Sequence, residues 1–231
     1  MEGIINSWLS IWIYVILAIG IGLTVLVVKN RRSWTKTNIL CTLGIVVLVL
    51  HVVEEWYIPG GLHYLYNVTG RSQSLSNYPM NMLSDMITNF SGVILGSAVL
   101  LCGGFRKPAS IVIMLISGFE VLVHIVTGIG SMNIFGAYGQ DLLYSPGLIT
   151  SLFGFLPICV ALAKELCKRD MRPTWKQWIM GIAATICVMF LCVNLPEMLC
   201  ADKNSPYRFS DRGYYERFAE EYEADHSDVI Y

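Results

Sequence analysis

Charge is what this sequence has least of. Of 231 residues, 16 are Lys or Arg and 17 are Asp or Glu, 14% together, where a soluble globular domain carries about 25%. With a mean hydropathy of +0.55, that shortage excludes disordered, collagen-like and ordinary cytosolic chains. A net charge of −1, with no basic stripe outside the loops, excludes nucleic-acid binding through a basic surface. The seven cysteines (41, 102, 159, 167, 187, 192 and 200) form no CxxC pair. Their odd count and placement within or beside apolar runs exclude a disulfide framework or thiolate metal site, and they read as small apolar fillers. Also missing are a Ser–His–Asp order, a phosphate-cradling glycine loop, a dinucleotide fingerprint and an internal repeat of transporter length.

What is present is apolar sequence in long runs. Six stretches, roughly 8–28, 38–58, 84–104, 109–129, 147–164 and 178–199, can cross a hydrocarbon core of about 30 Å. Lipid leaves unpaired backbone groups no partner, so such runs must be helical. The ~10-residue alternation of an outer-membrane barrel is lacking. The expected fold is all-α, a polytopic transmembrane helical bundle of residues 1–200 followed by an acidic tail, 201–231. The first stretch, opening Met1-Glu2-Gly3 without a basic n-region, reads as a span rather than a cleaved signal. Eleven basic residues (Lys29, Arg31, Arg32, Lys36, Arg106, Lys107, Lys164, Lys168, Arg169, Arg172 and Lys176) flank one side, against five (Arg71, Lys203, Arg208, Arg212 and Arg217) on the other. The positive-inside rule then puts both termini outside.

The segment 59–83 reads as an ordered outer loop, and Trp56, Tyr57, Tyr64, Tyr66, Tyr78, Tyr138 and Tyr144 as an interfacial aromatic belt. Asn67-Val68-Thr69 is a glycosylation sequon that reads as a chance match. In the tail, eight acids and four bases describe a solvated segment, while Tyr214, Phe218 and Tyr222 recur every four residues, the spacing of a short amphipathic docking helix. Gly92 and Gly96 form a GxxxG, which points to close helix packing.

Few ionisable groups remain inside the spans: His51, Glu54 and Glu55 in the second, Glu120 and His124 in the fourth, with Asn89 and, nearer the entrance, Asp85 in the third; Asn194 and Glu197 lie in the sixth. At ~100° per residue, Glu54 and Glu55 flank the direction of His51, and Glu120 and His124 are an i, i+4 pair. A rise of ~1.5 Å per residue sets His51 about 20 Å and Glu120 about 18 Å above the basic side, so the groups can meet in the outer half of the bilayer. A charged side chain at that depth costs at least ~2.5–3.5 kcal/mol, and no Lys or Arg inside a span offsets these acids. Protonation, a water-filled cavity or a cation must. Two His with carboxylates form a ligand set suited to Zn²⁺ or non-haem iron. The plainer alternative is a hydrogen-bonded His–Glu cluster that only joins helices.

His51-Val52-Val53-Glu54-Glu55, followed by Glu120 and His124 and by Tyr144-Ser145-Pro146-Gly147-Leu148-Ile149-Thr150, resembles the HXXEE-motif family of integral membrane proteins over residues 38–165. The last segment looks like the family's Tyr-x-Pro-Gly-x-x-Thr. The resemblance implies a multi-pass protein of a prokaryotic plasma membrane, with Tyr144 and Thr150 as polar support for the site, to which Asn89 is added by its depth in the third span. It implies no reaction. Pro146 reads as a first-turn residue of the fifth span, with Thr150 one turn inside.

The sharpest expectation is a membrane metalloenzyme in which His51, Glu54, Glu55, Glu120 and His124 supply metal ligands, Glu54 or Glu120 serves as catalytic acid or base, and the substrate is lipidic. The alternatives are a metal-free acid–base isomerase, a proton or cation transporter, or an immunity-type membrane protein using the same cluster.

Overall fold

Helix boundaries follow from local chemistry. In the computed structural model, which describes residues 2–72 and 74–227, α1 (Glu2–Asn30) turns into α2 (Lys36–Trp56) over five residues. Thr35 caps α2 by accepting from Asn38 N at 3.2 Å, which satisfies one orphan donor of the first turn. α4 (Met82–Leu101) begins at Asn81 with a full capping box, and the seventh helix at Thr174 with another. Between α2 and α4 lies a short helix, α3 (Leu62–Thr69). α5 (Lys107–Phe135) opens on Pro108, whose missing N–H costs nothing there. α6 spans Leu148–Leu166, α7 Trp175–Cys200, and α8 (Glu216–Asp225) closes the described chain. Six helices (α1, α2 and α4–α7) are long and apolar enough to cross a membrane. All regular structure among the described residues is helical, as the composition predicts. Asp228 to Tyr231, the end of the expected tail, lie outside the described residues.

α1 is longer than its apolar core predicts, and α5 runs six residues past the expected end. Each of α6 and α7 contains one π-helical turn, Ser151–Phe155 and Phe190–Asn194. Both turns end two residues before a proline, Pro157 and Pro196. Proline offers no N–H and clashes with the carbonyl four residues back, and a widened turn relieves both problems.

α2 is the central strut, packing on α1, α4, α5 and α6. Small residues set the closest approaches. A Cβ on Gly20 would meet Val49 at 3.1 Å, one on Gly96 would meet Ile45 at 2.8 Å, and one on Gly92 would meet Leu48 at 3.3 Å, so the GxxxG of α4 does face a helix. α7 lies on α5 through its first half and on α4 through its second. The main apolar core runs through Trp12, Ile16, Ile45, Val52, Ile111 and Leu162.

A second, smaller core lies at the end of the bundle that carries both termini. α3, the end of α5 and α8 enclose Tyr64, Leu65, Phe135, Tyr215, Phe218 and Ala219. The tail is thus a folded cap: its expected helix forms, and its backbone joins the 59–83 loop through Phe209 N to Ser76 O (2.9 Å), Met82 N to Tyr207 O (3.0 Å) and Tyr214 N to Gly60 O (3.0 Å). Gly61 and Gly213 let the strands of chain touch, since a Cβ on either would lie 2.3 Å from the facing backbone. Tyr64 is an interior residue that donates to Glu223 rather than a belt residue, half-buried Tyr144 donates to Glu54, and Asn67 is fully buried, its amide donating to Leu75 O and Met80 O, so the folded chain cannot present that sequon.

His63 seals the cap. Its ring stacks on Phe209 at 3.6 Å and its Nε2 donates to Asp211 O at 2.9 Å. Burial lowers this imidazole from 6.5 to about 4, only partly opposed by the Asp211 carbonyl. The unfolded segment therefore takes up a proton that the folded one refuses between about pH 6.5 and 4. Docking should be constant above that window and weaken through it as pH falls, by up to about 3 kcal/mol. Limited proteolysis of the full chain should cleave residues 201–215 faster at pH 5 than at pH 7, and His63→Phe should remove the difference; equal cleavage of the wild type at both pH values would refute this assignment.

Candidate functional site

Two parallel helices each bring an i, i+4 His/Glu pair to one point. On α2, His51 Nε2 lies 3.1 Å from Glu55 Oε1; on α5, His124 Nε2 lies 3.7 Å from Glu120 Oε2. Across the helices, His124 Nε2 is 3.3 Å from the same Glu55 oxygen and His51 Nε2 is 3.7 Å from the same Glu120 oxygen. Both imidazoles thus turn Nε2 toward two shared carboxylate oxygens, and their rings meet edge to face at 4.6 Å. His51, Glu55 and His124 are buried; the Glu120 side chain keeps 22% of its surface. Donor atoms of His51, Glu120 and His124 all lie within 4.8 Å of one another, a spacing that could hold a metal ion.

Glu54 faces away from this group. Its carboxylate accepts from Ile149 N (3.0 Å), Thr150 N (2.8 Å), Thr150 Oγ1 (2.6 Å) and Tyr144 OH (3.0 Å). Those are the amides of the first turn of α6, which lack intrahelical partners and carry the positive end of the helix dipole. The helix needs this outside cap because its own N-cap is Gly147, which has no side chain to offer. Pro146 accordingly lies one residue before the N-cap, not in the first turn. Gly147 is required twice over: its φ is +95°, and a Cβ there would lie 2.3 Å from His124 Cε1. The Pro-Gly pair lays backbone flat against the imidazole.

Thr150 ties the two sets together. At 2.6 Å its hydroxyl proton goes to Glu54, so its lone pair accepts from His51 Nδ1 at 2.8 Å. This network assigns the Nδ1–H tautomer to His51 and leaves its Nε2 lone pair aimed at the cluster, the arrangement by which metal-ligating histidines are oriented. His124 Nδ1 has no hydrogen-bond partner among the described residues; Gly147 positions that ring by contact instead. The three donors so placed, two imidazole nitrogens and the Glu120 carboxylate, are of the types a divalent transition ion takes, and the Glu55 carboxylate lies beside both imidazoles.

Of the residues expected at the site, His51, Glu55, Glu120 and His124 converge, and Thr150 and Tyr144 support them. Glu54 sits in the supporting layer. Asn89 bonds back to Asp85, through its O (3.1 Å) and Oδ1 (2.8 Å), and not to the cluster. Burial and the Glu54 carboxylate push the Tyr144 hydroxyl above its ordinary value, which keeps it a donor. Sequence reading passes over Gly147 as a contact of His124, Phe155, whose ring is 5.1 Å from that of His51, and Gln140, which pins the loop by donating to Leu142 O and Tyr144 O. The Pro-Gly pair was the available signal for the first; for the other two there was none.

The sequence model of the proteins of unknown function with an HXXEE motif matches residues 42–162, more than half of the chain. This chain belongs to the HXXEE family. His51, Glu54 and Glu55 are the HXXEE motif itself, and the matched region also holds Glu120, His124, Tyr144, Gly147 and Thr150. No curated protein and no solved structure matches the chain.

Two substitutions separate the layers of this HXXEE site. Gly147→Ala should lower stability by about 2 kcal/mol or more, from the left-handed backbone and the displaced His124 ring. Glu54→Gln should cost roughly 2 kcal/mol, since an amide cannot accept from four donors. Both are read as unfolding midpoints in detergent, beside a near-neutral Thr150→Ser. An unchanged midpoint in either glutamate or glycine variant would contradict the packing described.

Proposed function

We propose that this protein is a metal-dependent enzyme of the membrane interior, with His51, His124, Glu55 and Glu120 as the ligand set and a lipidic or other apolar substrate. The observation that carries this reading is the convergence of both Nε2 atoms on two shared carboxylate oxygens, with the far nitrogen of His51 held by Thr150 and Glu54. A bound divalent cation, Zn²⁺ or non-haem iron, would supply Lewis acidity or redox chemistry and offset the acids that no basic residue within the spans neutralises. Glu55 touches both imidazoles and is enclosed. Glu120 reaches the cluster from farther out and keeps exposed surface, so it is the group placed to exchange a proton with a substrate. Glu54 has all its acceptor capacity engaged and is a positioning residue, holding α6 and, through Thr150, the His51 ring.

The loop charges support a membrane orientation with the basic side in the cytoplasm and the cap outside, and the family supports a plasma-membrane location in a prokaryotic cell. A second reading rests on a specific distance. At 3.1 and 3.3 Å the His–Glu55 contacts are also hydrogen-bond lengths, which fits metal-free acid–base chemistry on the same substrate class. The transporter alternative is weaker, because the space on the cytoplasmic side of the cluster is apolar.

Metal analysis of detergent-purified full-length protein decides between the first two. Near-stoichiometric Zn or Fe is expected, lost in His51→Ala and His124→Ala. Thr150→Val should weaken binding by about 10- to 100-fold, as removal of a ligand-orienting partner does, with Thr150→Ser restoring it. Folded wild-type protein that neither contains nor takes up these ions would overturn the metal reading.

A further inference from the structure

On the basic side of the cluster lies a cavity of about 300 Å³ between α2, α4, α5 and α7. Gly44 and Leu48 of α2, Gly92 and Gly96 of α4, Ala109 of α5 and Ala184 of α7 are among its walls, and Ser117 is the one polar side chain on them. It exists because α4 and α5 scarcely touch, α7 bridging them instead. Along α5 it extends from Pro108 to Ser117, about 14 Å at the helical rise, close to half of a hydrocarbon core of ~30 Å.

Its upper end meets the site. Phe155 lines the cavity and also packs its ring on His51, and Ser117 is one turn below Glu120. An apolar space at bilayer depth excludes water, which would find no polar partners there, and suits an apolar occupant. A volume of about 300 Å³ over about 14 Å leaves a mean cross-section of roughly 20 Å², room for one flexible chain and not for a fused ring system.

We propose that this cavity binds a single alkyl or acyl chain, with its tail toward the basic side and the carbon to be transformed at its upper end, beneath Glu120 and His51. The substrate class is then a single-chain lipid, or one chain of a membrane lipid, whose reacting group is buried rather than at the headgroup surface. The chemical meaning of that placement rests on the enzyme reading above; chain binding itself does not.

The test uses purified full-length protein and a diazirine-bearing palmitic acid, with crosslinks mapped by peptide mass spectrometry. Labelling is expected on residues 108–117 and at Phe155, displaced by free palmitic acid. Ala184→Phe, which fills the cavity, should reduce it at least about tenfold, equivalent to ~1.4 kcal/mol, while Val188→Ala, which widens it, should preserve or raise it. Size-exclusion profiles confirm that each variant is folded. Labelling spread over lipid-facing surfaces, or unaltered by Ala184→Phe, would overturn the proposal and leave the metal centre untouched. Conversely, His51→Ala should lose metal yet still label, so failure of the metal reading is seen separately.

Discussion

A carboxylate at bilayer depth demands compensation, and the whole interior of this protein is arranged around three of them. No span carries a Lys or Arg near Glu54, Glu55 or Glu120, so other devices must serve. For Glu54 the device is a helix: four donors from the start of α6 and from Tyr144 surround it, and the dipole of that helix adds a favourable field. Glu55 and Glu120 instead share a pair of imidazoles, and a proton or a cation between these donors is what offsets their charge. One carboxylate is thus compensated by a helix end while two meet in a cluster that must take up positive charge, and this division separates a supporting carboxylate from those facing the site.

The cap shares in that arrangement. Tyr214, at its edge, packs on Tyr144 at 4.8 Å, and Tyr144 donates to Glu54. Tyr215 shares a hydrogen bond with Ser131, whose hydroxyl donates to Gln140, and Gln140 fixes the loop leading into Gly147. Side chains as far as Gln140, and loop backbone from there to Gly147, therefore link Tyr215 at the start of α8 to the ring of His124. The terminal segment, rich in charge, is held to an apolar bundle because Tyr215, Phe218 and Ala219 bury almost completely in the second core.

Much of this was legible in the residues alone. Long apolar runs fixed the number and rough limits of the spans, and i, i+4 spacing put His51 with Glu55 and Glu120 with His124 on single faces. Spacing could not tell Glu54 from Glu55. Both lie within a helical face of His51, and what separates them is the arrival of α6 on one flank and α5 on the other, a fact of tertiary packing. The cap was missed for a similar reason: its charge argues for solvation, and only the aromatic repeat at 214, 218 and 222 argued for docking. Asn89 shows the reverse error. Its place along the span puts it near the level of the cluster, but a short polar side chain can bond back to its own helix, as Asn89 does to Asp85, and depth alone cannot choose between the two.

The irregular turn in α6 joins these themes. A π-helical turn adds one residue to a helical repeat, so residues beyond it are rotated by roughly 100° from where a regular helix would put them. Here the turn begins at Ser151, directly after Thr150, and ends at Phe155. Thr150 keeps the register set by Glu54 and faces His51; Phe155, at the far side of the widened turn, also reaches His51 and closes the top of the cavity. In an uninterrupted helix, two residues five apart differ by about 140° in direction and would not both address one imidazole. Pro157 thus does more than disturb α6. By forcing the wide turn where it does, it lets one helix supply both the hydrogen bond that orients His51 and the aromatic wall that divides the polar site from the apolar space beneath it.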